Sequence, residues 1–171
     1  AKTVLIDRVI EIADIKAVDL FSLPKISTGI KGIDKVLSGG IYLGQTAILT
    51  GKRGDGKSTL GSQILANALN DGKAVFAYSG ELPDYFFKRW LDFQIAGQHN
   101  VIDRAGEAGF VNYFIPDSKV YEISEWYRGR AYLFDNQSTE DSELDYLLIA
   151  IEKTIQQYGI QLVLLDNLMT A

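Results

Sequence analysis

Apolar positions along this chain recur with two different periods, and the alternation between them sets the expected architecture. Ser58–Leu69 carries Leu60, Ile64, Leu65, Ala68 and Leu69 at helical spacing. Asp84–Ala96 is a second helix bearing Tyr85, Phe86, Phe87, Trp90, Leu91 and Phe93, of which Phe86, Phe87, Trp90 and Phe93 form a stripe that predicts core packing. A last helix has Leu144, Leu147, Leu148, Ile151 and Ile155 as its buried stripe, with Ser138 and Thr139 able to cap it, Glu140, Asp141 and Glu143 loading its first turn with negative charge, and Gly159 ending it. Between these lie short runs of strand character: Gln45–Thr50, Ala74–Tyr78, Ala131–Phe134 and the wholly apolar Gln161–Leu165. Strands alternating with helices predict an α/β fold, a mainly parallel sheet with helices on both faces and the site at the carboxyl edge of the strands. Gly97–Ser118, with three glycines and Pro116, shows no clear period. Ala1–Leu23 reads as an arm or linker ahead of Pro24, able either to pack on a neighbour or to fold back on its own core.

The chemistry is concentrated where the first of these strands meets the first helix. Gly51–Ser58 reads Gly-Lys-Arg-Gly-Asp-Gly-Lys-Ser and fits the phosphate-binding loop G-x-x-x-x-G-K-[ST] without a mismatch. Glycines let successive N–H groups converge on a polyanion, and the following helix N-terminus adds favourable potential. The expected nucleotide-binding residues are Gly51, Lys52, Arg53, Gly54, Asp55, Gly56, Lys57, Ser58 and Thr59. Lys57 would reach the β- and γ-phosphates of ATP, and the Ser58 hydroxyl would hold Mg²⁺.

Two carboxylates follow strands and become candidates for the same edge. Asp166, after Gln161–Leu165, is placed to hold the Mg²⁺ shell opposite Ser58, or else to form a turn. Glu81, in Ser79-Gly80-Glu81-Leu82-Pro83, is placed to polarise the water attacking the γ-phosphate, or else to favour the start of the next helix. Asp135, after the third strand, is equally well read as a loop or cap residue.

Charge and composition narrow the remaining classes. With 47% apolar residues, 171 residues supply one core, and the absence of cysteine excludes disulfides and thiolate metal sites. No apolar run reaches a membrane span, so a soluble cytoplasmic domain is expected. A net charge of −5 gives no global attraction for nucleic acid. Lys88 and Arg89 among the aromatics of the second helix, and Arg128 and Arg130 beside Trp126 and Tyr127, are the places where single-stranded nucleic acid could stack; core packing and a basic helix end are the competing readings. His99, the single histidine, reads as a loop residue.

Together, Ser27-Thr28-Gly29-Ile30-Lys31-Gly32-Ile33-Asp34, Gly39-Gly40, Gly44, the phosphate loop, Ser79-Gly80-Glu81-Leu82-Pro83 and Leu164-Leu165-Asp166-Asn167-Leu168 resemble the RecA-like ATPase core, and within it replicative helicases of the DnaB and Twinkle type. The resemblance spans Ile26–Met169. It implies Lys57, Glu81 and Asp166 as catalytic residues, Glu81 being the base, with Ser58 and Asp166 as metal residues. It further implies ATP and Mg²⁺ as cofactors, and single-stranded DNA and a homo-hexamer as partners of the full-length protein. A RecA- or KaiC-like ATPase of recombination or signalling shares the nucleotide site, and a poorly hydrolysing, nucleotide-dependent binding module is a third reading. In the resembling family further strands, DNA-facing loops and a basic residue acting across subunits follow the Walker B strand, so residues 24–171 are expected to be a C-terminally incomplete core.

Overall fold

A computed structural model describes residues 9–106, 109–135 and 144–166. The elements, in chain order, are β1 (Lys25–Ile26), α1 (Lys31–Val36), β2 (Ile41–Tyr42), α2 (Lys57–Asn70), β3 (Val75–Ser79), α3 (Asp84–Ala96), β4 (Ile102–Ala105), β5 (Val111–Phe114), α4 (Asp117–Tyr127), β6 (Ala131–Leu133), α5 (Leu144–Tyr158) and β7 (Leu162–Asp166). The central sheet is parallel, with the order β6-β3-β7.

β3 is the axis of the molecule because its side chains are buried on both faces. Successive strand residues point to opposite sides. Val75 and Ala77 accordingly pack with Leu65 and Leu69 of α2 and Phe87 and Leu91 of α3. Phe76 and Tyr78 pack on the other side with Leu147 of α5 and Ile160. Helices therefore cover both faces, and the α/β architecture expected from the alternation is the one observed. A smaller cluster of Ala96, Ile115 and Ile123 joins α3 to α4.

Several local expectations change. Gln45–Thr50 forms no strand and is exposed throughout, with Ile48 at 84%. A strand exists only through its ladder, and among the described residues this run pairs with no strand of the β6-β3-β7 sheet. β7 is half-buried rather than fully buried, for among the described residues it has a strand partner only on its β3 side. The expected aromatic stripe of α3 is split: Phe87 and Leu91 face the core, while Tyr85, Phe86 and Trp90 are exposed. Two aromatic rows on adjacent sides of a helix cannot both meet one sheet face, and the row containing Leu91 is the one that does. On α5, Leu147 is buried, but Leu148 and Ile155 are exposed. The caps expected for that helix at 138–143, and Asn136, lie outside the described residues.

The aperiodic stretch after α3 contains a 3₁₀ turn at Gln98–Asn100 and the antiparallel hairpin β4–β5. Residues 9–22 are exposed apart from their own local turns. Among the described residues no helix is long and apolar enough to cross a membrane.

Candidate functional site

The orientation of α2 fixes where the phosphate loop sits. At its carboxyl end the Leu69 carbonyl accepts a hydrogen bond from Arg130 Nη1 at 2.7 Å, and Arg130 immediately precedes β6. Near its amino end a Cβ on Gly61 would stand 3.1 Å from Leu164 Cδ1, two residues short of the tip of β7. The helix therefore runs antiparallel to the sheet, and its first turn lies over the carboxyl edge of the strands. Gly61 is what permits this close approach.

Within the loop, Gly54 and Gly56 have φ of +87° and +81°, with open space where a Cβ would stand. Only glycine takes this backbone freely, and the open side leaves the N–H groups accessible to an anion. Lys57 opens α2, and its Nζ donates to the carbonyls of Gly51 at 2.9 Å and Lys52 at 2.7 Å. The Asp55 carboxylate accepts the Lys52 N–H at 2.7 Å. Lys52, Arg53 and Lys57 outnumber Asp55, so the loop is locally cationic. Thr59 is exposed at the start of α2.

The candidate carboxylates reach the same edge. β3 and β7 pair in register, Ser79 opposite Asp166, and the Gly80 N–H donates to the Asp166 carbonyl at 3.1 Å. Asp166 is thus the last residue of β7, and Glu81 stands two residues beyond the end of β3. The Leu82 N–H donates to Ser79 Oγ at 3.1 Å, turning the chain toward α3 with Pro83 as its N-cap. Asp135 follows β6 on the other flank of β3, and His99 is exposed in its 3₁₀ turn.

These residues fit Mg·ATP. Among the described residues the Ser58 hydroxyl and the Asp166 carboxylate have no hydrogen-bond partner, and both belong to elements that meet at Gly61 and Leu164. Mg²⁺ commonly takes one or two protein oxygens and completes its octahedron with phosphates and water. When bound, it would neutralise charge on the β- and γ-phosphates. Among the described residues no group of three or more His, Cys, Asp or Glu gathers to hold a metal ion by itself.

The basic candidates for nucleic-acid stacking are engaged internally. Lys88 binds Asp92, Ser124 Oγ and Tyr127 OH; Arg89 donates to the Tyr113 carbonyl; Arg128 pairs with Glu125; and Arg130 ties Leu69 to Trp126. Burial works against the Lys88 charge, but bonds to Asp92 and Tyr127 outweigh it and raise its pKa above the ordinary lysine value.

Two contributors carried no assigned role in the sequence. Asp34 accepts from Ser27 Oγ (2.6 Å), the Thr28 N–H (2.8 Å) and Thr28 Oγ1 (2.7 Å). Burial tends to raise its pKa, yet these bonds and one from the Gly29 backbone hold it below the usual carboxylate value. Asn67 of α2 then donates to the Ser27 carbonyl at 3.1 Å, fastening this segment to the helix that follows the phosphate loop. The signal available in the sequence was a Ser-Thr pair followed at short range by an aspartate, a pattern that closes local side-chain-to-backbone bonds.

The chain is 34% identical over 73 residues to the DNA repair protein RadA of Escherichia coli, covering 43% of the chain and 16% of RadA. It is 32% identical over 108 residues to the circadian clock oscillator protein KaiC of Parathermosynechococcus lividus, covering 62% of the chain and 19% of KaiC. It is also 40% identical over 63 residues to the UPF0273 protein PAE3143 of Pyrobaculum aerophilum, covering 36% of the chain and 22% of that protein. The chain thus spans less than a quarter of each of these relatives. The family described as ATPase: KaiC matches residues 26–171, and with its phosphate loop and parallel sheet the chain belongs to that family of RecA-like ATPases.

Proposed function

We propose that this chain binds Mg·ATP in the loop Gly51–Thr59 and hydrolyses it as the nucleotide core of a larger machine acting on DNA. In this reading Lys57 is a point charge on the β- and γ-phosphates, and the Ser58 hydroxyl and Asp166, the latter through water, hold Mg²⁺. Glu81 is the base that polarises the attacking water. The observation that carries the reading is the meeting of α2 and β7 at Gly61 and Leu164, with Ser79 in register with Asp166, because it gathers the loop and both carboxylates at one sheet edge. RadA, by its name a DNA repair protein, supports the DNA-directed output.

The string Ser79-Gly80-Glu81-Leu82-Pro83 favours a second reading of that output, a DnaB-type hexameric helicase coupling hydrolysis to unwinding of DNA. Either output calls for single-stranded DNA and further copies of the chain as partners in the longer protein. Steady-state ATPase assays with Glu81→Gln in the full-length protein test the site. Turnover should fall ~10²–10⁴-fold with nucleotide affinity retained, because a general base acts on water in the transition state. Nearly unchanged turnover would refute Glu81 as the base. Stimulation by single-stranded DNA, with or without strand separation, distinguishes the two outputs.

A further inference from the structure

We propose that Asp55 is a positioning residue that shapes the phosphate loop before nucleotide arrives, an inference that rests on the nucleotide-binding reading above. Residue 52 is held on both sides of its backbone. Its N–H donates to Asp55 Oδ2 at 2.7 Å, and its carbonyl accepts from the Asp55 N–H at 3.2 Å and from Lys57 Nζ at 2.7 Å. The first half of the loop is thereby closed by the side chains of two residues from its second half.

Gly51 shows how tightly those side chains are drawn in. A Cβ there would stand 3.2 Å from Asp55 Oδ2 and 3.7 Å from Lys57 Cδ. A side chain at the first glycine of the motif would press on the Asp55 carboxylate rather than strain the backbone, since its φ is not among the positive ones. An exposed loop with glycines at 51, 54 and 56 would otherwise lose much backbone entropy on binding. A carboxylate used in this way sits beside a polyanion site, where its charge by itself opposes phosphate. Hydrogen bonding and charge therefore make opposite predictions for the neutral isostere.

The test uses the 171-residue chain and its Asp55→Asn, Asp55→Ala and Lys57→Ala variants. A fluorescent ADP analogue is titrated with Mg²⁺, and amide hydrogen exchange at Lys52 is followed without nucleotide. Asp55→Asn keeps an acceptor oxygen and should bind within about twofold of the parent. Asp55→Ala should bind about fivefold more weakly, the loss of one ordinary hydrogen bond, and should speed exchange at Lys52. Tighter binding by both variants would overturn the proposal in favour of charge repulsion. Parental affinity and parental exchange in Asp55→Ala would also overturn it. If Lys57→Ala binds like the parent, or the parent fails to bind, while Asp55→Ala still releases the Lys52 amide, the nucleotide reading fails and the shaping role of Asp55 stands.

Discussion

Replacing Asp34 with alanine should cost about 3 kcal/mol of folding stability, a value that follows from what each of its partners loses. Ser27 is only partly buried, so its hydroxyl can turn to water and its lost bond is worth about 1 kcal/mol. Thr28 is 1% exposed, and its N–H, now bonded to Asp34 at 2.8 Å, would be left buried without an acceptor, at about 2 kcal/mol. The Thr28 hydroxyl loses less, since the Ile30 carbonyl lies 3.5 Å away. In a chain of this size the total corresponds to a fall in Tm of roughly 6–12 °C. Asp34→Asn keeps an acceptor for Thr28 and should recover more than half. The carboxyl of Asp34 is held below its ordinary pKa, so its contribution is complete above that ordinary value and is lost as pH falls through the lower folded value. Urea unfolding of parent and Asp34→Ala across the acid range should therefore show a constant gap that closes only in strong acid. A loss under about 0.5 kcal/mol, or a gap that widens on acidification, would refute the account.

Three further outcomes follow from the site and its supports. Lys57→Ala should weaken Mg·ADP binding by at least ~10-fold, as expected for removing a cation from phosphate contact, measured by calorimetric titration. Gly61→Val should press on Leu164, 3.1 Å from the added Cβ, destabilise the chain by ~1–3 kcal/mol in urea unfolding and weaken nucleotide binding by tilting the first turn of α2. Lys88→Met should leave Asp92, 3% exposed, without its cation but still bonded to the Tyr127 hydroxyl, at a cost of roughly 1–2 kcal/mol because Lys88 is about half exposed. Because the Lys88 pKa is raised, that difference should hold below the ordinary lysine value and shrink as pH rises through the folded value, as followed by thermal unfolding.

Sequence alone determined the features set by local covalent pattern. The phosphate loop is legible because its function requires particular residue types at fixed offsets within one stretch of backbone, and the structure puts it directly ahead of α2 as the spacing predicts. The α/β architecture is legible because β3, β6 and β7 are short apolar runs alternating with helical periods. What the pattern could not decide is which of several apolar rows meets the sheet. Phe87 and Phe86 are adjacent and equally apolar, yet one is 7% exposed and the other 48%. The difference depends on the angle at which α3 lies across β3, a property of packing between distant segments. Gln45–Thr50 makes the same point for strands, since a β-prone run becomes a strand only where it finds a ladder partner, and among the described residues this run has none. The roles of Asn67 and Gly61 were likewise decided by tertiary structure, because Asn67 acts on Ser27 forty residues away and Gly61 on Leu164 near the carboxyl edge of the sheet, whereas Asp34 closes on Thr28 across a local turn.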